Sequence, residues 1–69
     1  MRLTGTPAYQ VGDHVVLPAP DQEISGTIGY IGAQEVRIDT GPYAWSQQMV
    51  SRSQFEEWLR QDERNAELF

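Results

Sequence analysis

The chain contains no cysteine and no lysine, and its only histidine is His14. Without cysteine there can be no disulfide framework, thiolate metal site or cysteine nucleophile, a pattern that suits the reducing cytosol. Long apolar runs are missing as well. The longest is Val15-Val16-Leu17, far below a membrane span, and the N-terminus lacks the charged start and apolar stretch of a signal peptide. The sequence therefore reads as a cytoplasmic protein with no membrane partner.

Positive charge is scarce. Ten carboxylates face five arginines, giving a net charge of −5, and Arg2, Arg37, Arg52, Arg60 and Arg64 are scattered along the chain. Nucleic-acid affinity comes mainly from clustered cations on phosphates, so direct binding to DNA or RNA is disfavoured. No metal or cofactor is expected. Asp13, Asp21, Glu23 and Asp39 lack the loop spacing of a calcium site. GTIGYIG has glycines but neither the phosphate-loop pattern nor its lysine. His14 has no nucleophile-elbow serine to serve and no helix-borne metal motif. It reads as an ordinary strand residue, and the chain as no enzyme.

What is present fits one small domain: 69 residues, 39% of them hydrophobic, with seven aromatics. A chain of this size has little room for a deep cavity beside its core. Residues 1–8 hold Gly5 and Pro7 without periodicity and read as a flexible lead-in; 9–69 form the domain. A first strand is predicted over 9–17, with Gly12-Asp13 marking a turn or bulge near its start. Pro18 and Pro20 end it. A second strand, ISGTIGYI, contains Gly26 and Gly29, which permit a bend or close backbone approach. A third, EVRID, alternates with Val36 and Ile38 inward. After the Thr40-Gly41-Pro42 turn a fourth is expected over 43–50.

A helix is predicted over about 54–64. Ser53 and Glu56 match a capping box, and Phe55, Trp58 and Leu59 form a short apolar stripe ending near Leu59. Glu56 and Arg60 have favourable i,i+4 spacing. Four to five short antiparallel strands joined by Gly and Pro turns and capped by this helix predict a small SH3-like barrel, mainly β with one C-terminal α-helix.

Tyr30, Tyr43, Trp45 and Arg37 are the candidate binding residues. As a wall, the aromatics would suit a peptide, a methylated cation or a proline-rich ligand. As core, they would pack beneath the helix. Tyr43, Trp45, Gln47 and Met49 share one strand parity and are more apolar than Ala44, Ser46, Gln48 and Val50. That parity favours the core reading, with Trp45 against Met49, Phe55 and Trp58. If the second set faces inward, the aromatics are free. Glu56, Glu57, Asp62, Glu63 and Glu67 make the helical region acidic, which is ordinarily a solvated face. Leu68-Phe69 is an apolar end without a glycine stop, so either the chain belongs to something longer or these residues fold back.

Three short motifs carry a family likeness: Val11-Gly12-Asp13, the Ser-Arg-x-x-Phe-Glu of 51–56, and the Asp-Glu-Arg-Asn of 62–65. With the isoleucine-rich strand at 28–31 between them, the chain resembles a small segment of the very long proteins of bacterial conjugative elements. Those proteins combine Swi/Snf-type helicase and DNA-methylase regions with small linking domains. The likeness covers about residues 9–68. None of the parent enzymes' catalytic signatures is present, so it implies a noncatalytic accessory module whose partners are proteins or neighbouring domains of a longer chain. Two other functions remain open: a nucleic-acid-binding barrel stacking bases on Tyr30, Tyr43 and Trp45, or a free-standing phage-type inhibitor whose acidic helix mimics phosphate.

Overall fold

The computed structural model describes residues 3–69, apart from the side chain of Ala44; the first two residues of the expected lead-in lie outside them. Four strands, β1 (His14–Leu17), β2 (Ile24–Ile31), β3 (Glu35–Asp39) and β4 (Gln47–Ser51), are followed by one helix, α1 (Arg52–Gln61). Short 3-10 helices occupy Ala44–Ser46 and Glu63–Leu68. The sheet is an antiparallel meander in the order β1-β2-β3-β4.

β1 is shorter than residues 9–17 because a tight turn precedes it. Gly12 has φ +99°, the Asp13 amide donates to the Gln10 carbonyl at 3.1 Å, and the Gln10 amide donates to the Asp13 carboxylate. Gly12 and Asp13 then oppose the single residue Ile28: the Gly12 amide donates to the Ile28 carbonyl and the Ile28 amide to the Asp13 carbonyl. This is a glycine bulge of the kind expected from Gly12-Asp13. Gly26 serves a different need, since a Cβ there would collide with the Asp39 carbonyl where β2 passes the end of β3. β2 and β3 match the strands read from the sequence.

The core lies between one face of the sheet and α1. It contains Val15, Leu17, Ile28, Val36, Ile38, Val50, Phe55, Leu59 and Leu68, with Trp58 packed against it. Phe55 and Leu59 are one helical turn apart and fully buried, so the stripe ends where expected. Leu68 folds back into this core, and the chain at 3–8 runs beside it. The Ala8 amide donates to the Leu68 carbonyl, the Leu3 amide donates to the Arg60 carbonyl, and Pro7 is buried.

Three expectations need correction. The sheet is open: among the described residues β4 has no partner but β3, and no fifth strand is present. The reason is local, because Ser51 ends β4 and also caps α1, leaving no chain between them to close a barrel. The helix runs from Arg52 to Gln61 rather than over 54–64. Its cap is Ser51, whose hydroxyl accepts from the Gln54 amide at 3.4 Å, and not Ser53. Glu56 is correspondingly bound to Arg52, one turn before it, rather than reaching back to cap Ser53.

One buried polar side chain joins the two ends of the fold. Asn65 is 2% exposed. Its Oδ1 accepts from the Val16 amide at 2.9 Å, and its Nδ2 donates to the Val16 carbonyl at 2.8 Å and the Leu59 carbonyl at 3.2 Å. Val16 is the residue of β1 whose backbone points away from β2, so Asn65 stands where a neighbouring strand would.

Two stability predictions result. Asn65→Ala leaves three buried backbone groups without their partner and should cost about 2–4 kcal/mol in urea unfolding. Ser51→Ala should cost about 1 kcal/mol, whereas Ser53→Ala should stay within about 0.5 kcal/mol. The reverse order of the two serines would place the helix start at Ser53.

Candidate functional site

Tyr43 and Trp45 lie on the connection between β3 and β4. The ladder ends where the Thr40 amide donates to the Ser46 carbonyl at 2.9 Å, and the intervening residues form a loop tightened by the Ser46 amide donating to the Tyr43 carbonyl. Residues 43–46 are therefore not strand, and parity does not carry through them. The two rings stack on each other with centroids 4.4 Å apart and planes 3° from parallel. Trp45 is 81% exposed and Tyr43 56% exposed.

The expected core role for Trp45 is thus overturned, and register explains why. β3 alternates without ambiguity, burying Val36 and Ile38. Directly opposed residues share a face of the sheet, and Val36 opposes Val50 while Ile38 opposes Gln48. The less apolar set of β4 must therefore face inward, which puts Met49 outside at 53% exposure. The clean alternation of EVRID, carried across a hairpin of known register, is the signal that could have shown this.

The other candidates do not converge on the stack. Arg37 lies on the outer face, but its Nε donates to the Asp39 carboxylate at 3.0 Å and the pair lies over Gly29. Tyr30 opposes Arg37 and is 51% exposed, yet its ring leans over Gly32 in the β2–β3 turn. That turn and the Tyr43–Trp45 loop sit at opposite ends of β3. The structure brings Tyr43 and Trp45 together and leaves Tyr30 and Arg37 apart from them.

A cluster that sequence reasoning missed joins Tyr9, Arg52 and Glu56. The Tyr9 hydroxyl donates to Glu56 Oε2 at 2.7 Å and accepts from Arg52 Nε at 2.9 Å. Arg52 Nη1 donates to the Gly32 carbonyl at 3.1 Å, and the Tyr9 ring meets Phe55 edge-on at 4.9 Å. Burial, followed by the hydrogen bond to Glu56, raises the Tyr9 pKa above its ordinary 10.0. The groups hold each other, so their chemistry is that of a joint. His14 is exposed on β1, with Ser25 Oγ 3.4 Å from its Nε2. Among the described residues no group of three or more His, Cys, Asp or Glu side chains could hold a metal, and no helix is long and apolar enough to cross a membrane.

No family model matches the chain, and neither the curated proteins nor the solved structures contain a match to it.

Trp45→Ala and Tyr43→Ala should each change stability by less than about 1 kcal/mol, since little more than the mutual stack is lost. Thermal and urea midpoints test this. A cost of several kcal/mol would put the rings in the core.

The Tyr9 shift has a definite sign. Folding favours the neutral phenol, so its contribution is complete below the ordinary tyrosine pKa of 10.0 and is lost as pH rises through the higher folded value. Stability should therefore decline above about pH 10, and the Tyr9→Phe variant should lack that component of the alkaline loss.

Proposed function

We propose that this chain is a noncatalytic binding module that meets a protein partner through the exposed Tyr43–Trp45 stack. The single observation that carries the reading is the 81% exposure of Trp45. In a chain with so few large apolar residues, aromatic area left in water forgoes burial at about 25 cal/mol per Å². Stacked side chains that cover only each other offer a rigid, amphipathic surface of the sort that anchors protein interfaces. The acidic balance fits a partner with basic groups rather than phosphates. In this reading the open meander is an SH3-like sheet that lacks its closing strand.

The motifs at 11–13, 51–56 and 62–65 support placing the module among the accessory domains of mobile-element helicase and methylase proteins. Under that reading the module is a linking element, and the DNA chemistry belongs to other parts of the parent. The natural reading frame on either side of residues 1–69 tests the assignment. Helicase or methylase motifs there support it; a frame holding only this chain favours the free-standing inhibitor.

The parallel stack also favours a second reading, because flat aromatic faces are what single-stranded bases stack on. The two readings separate in one titration. With net charge −5, short single- and double-stranded DNA should produce no localised amide shifts at physiological salt. Salt-sensitive shifts centred on Tyr43 and Trp45 would make nucleic acid the partner.

A further inference from the structure

We propose that the free edge of β4 is a docking strand for an extended, basic segment of a partner protein, which adds to the sheet as a further antiparallel or parallel strand. This extends the binding-module reading and rests on it for the class of function, but not on the Tyr43–Trp45 stack.

Which backbone groups face the free edge can be deduced from the hydrogen bonds that bracket the β3–β4 ladder. The Thr40 amide donates to the Ser46 carbonyl at one end, and the Arg52 amide to the Gln34 carbonyl at the other. Antiparallel ladders alternate, so Ser46, Gln48, Val50 and Arg52 turn their backbone groups toward β3. Gln47, Met49 and Ser51 turn theirs away. The Ser51 carbonyl belongs to the first turn of α1, which leaves the amides and carbonyls of Gln47 and Met49 and the Ser51 amide pointing outward.

The two edges of the sheet are treated differently. At β1, the outward amide and carbonyl of Val16 are both taken by Asn65. At β4, the sequence QQMVS carries no charge, no proline and no bulge. Edge strands are normally protected by such devices, and an edge without them invites a further strand.

Beside this edge runs an open groove of about 800 Å³ between β4, the start of α1 and the β1–β2 connection. Met49 and Val50 line one side, Trp58 and Ile24 add apolar surface, and Asp21 and Glu23 stand at the connection. No arginine is among its lining residues. Glu23 is bound by Arg64, while Asp21 has no partner among the described residues. A strand laid along Met49 and Ser51 would point alternate side chains into the groove, toward Trp58 and Ile24. An arginine or lysine near the connection would meet Asp21. These features select an extended peptide, apolar at alternate positions and carrying positive charge; strand addition takes its affinity from main-chain bonds and its specificity from alternate side chains.

Met49 offers a direct test, because its amide faces outward. Proline at position 49 removes a donor that the β3–β4 ladder does not use, and edge strands accept proline in that orientation. Random peptides of about ten residues, displayed on phage, are selected against the wild-type chain, and the enriched sequences are synthesised for titration. They are expected to be basic and to alternate. Met49→Pro should weaken them by at least about tenfold, Met49→Ala by less than about threefold, and Trp45→Ala not at all. In the wild-type complex, hydrogen exchange of the Met49 and Ser51 amides should slow markedly. That readout also decides the matter if Met49→Pro does not fold. The proposal is overturned if no peptide is enriched over an unrelated acidic domain, if Met49→Pro binds like wild type, or if the two amides gain no protection. Loss of binding in Trp45→Ala with Met49→Pro unaffected would overturn the groove while leaving the aromatic surface standing. Peptides that respond to Met49→Pro alone support the docking edge and bear on the edge only, because the aromatic surface is a separate site.

Discussion

The side-chain amide of Asn65 takes the place of a missing strand, and the rest of the fold is arranged around it. A four-stranded meander has two edges, and in so small a chain an unsatisfied buried backbone pair is costly. Asparagine is suited to the task because it carries one acceptor and one donor in the same spacing as a peptide unit. Asn65 faces Val16 with both, so the buried part of the β1 edge is satisfied without a fifth strand. Its remaining donor reaches Leu59 in α1, which fixes the C-terminal 3-10 helix against both sheet and helix. That position in turn sets Leu68 in the core and brings its carbonyl to the Ala8 amide. One polar side chain thus connects the C-terminus, the N-terminal segment, the first strand and the helix.

Each motif behind the family likeness turns out to form a joint of this kind. Val11-Gly12-Asp13 makes the bulged turn that launches β1, with Gly12 at the positive φ that a side chain would resist. In 51–56, Ser51 caps the helix, Arg52 ties it to Tyr9 and Gly32, Phe55 enters the core, and Glu56 receives Tyr9. In 62–65, Asp62 accepts from the Arg64 amide to start the 3-10 helix, and Asn65 closes the edge. Arg64 holds the Asp62 carboxyl below its ordinary pKa, so this joint keeps its stabilisation above the usual carboxyl range and loses it as pH falls through the depressed value. A likeness built on such residues carries information about architecture. It carries little about what the module binds, because these groups are engaged within the fold, and of those named only Ser51 also lines the open groove.

The division between legible and illegible parts follows the range of the interactions. β2 and β3 were readable because their signals are local: alternation within EVRID, and turn residues on both sides. The stripe of Phe55 and Leu59 was readable for the same reason. The helix start was not, because Ser51 and Ser53 both precede an acidic or polar turn and only tertiary position chooses between them. Ser51 wins since Arg52 is drawn into place by Gln34, Tyr9 and Gly32, none of them close in sequence. Asn65 was overlooked on similar grounds; its partner Val16 lies 49 residues away. The aromatic pair failed differently. Strand parity does not extend through residues 43–46, where the chain is turn rather than strand, and the alternation of β3 sets the inward face of β4 only together with the register of the hairpin.

These features concentrate on one strand. β1, β2, β3 and α1 supply most of the buried core and are tied together by Asn65 and the Tyr9–Arg52–Glu56 cluster, although Tyr30 of β2 stays half exposed. β4 contributes less to the core. It follows directly on the exposed Tyr43–Trp45 stack, presents Met49 to solvent on its outer face, and leaves its far edge without a strand among the described residues. Only Val50 of its five residues is buried. A strand with so small a stake in the core is free to vary on its solvent side without unfolding the domain, which is the property a recognition surface needs. The core thus draws mainly on the first three strands and the helix, with Val50 the one contribution of β4, and β4 and the loop before it carry the exposed surface on which the proposed binding rests.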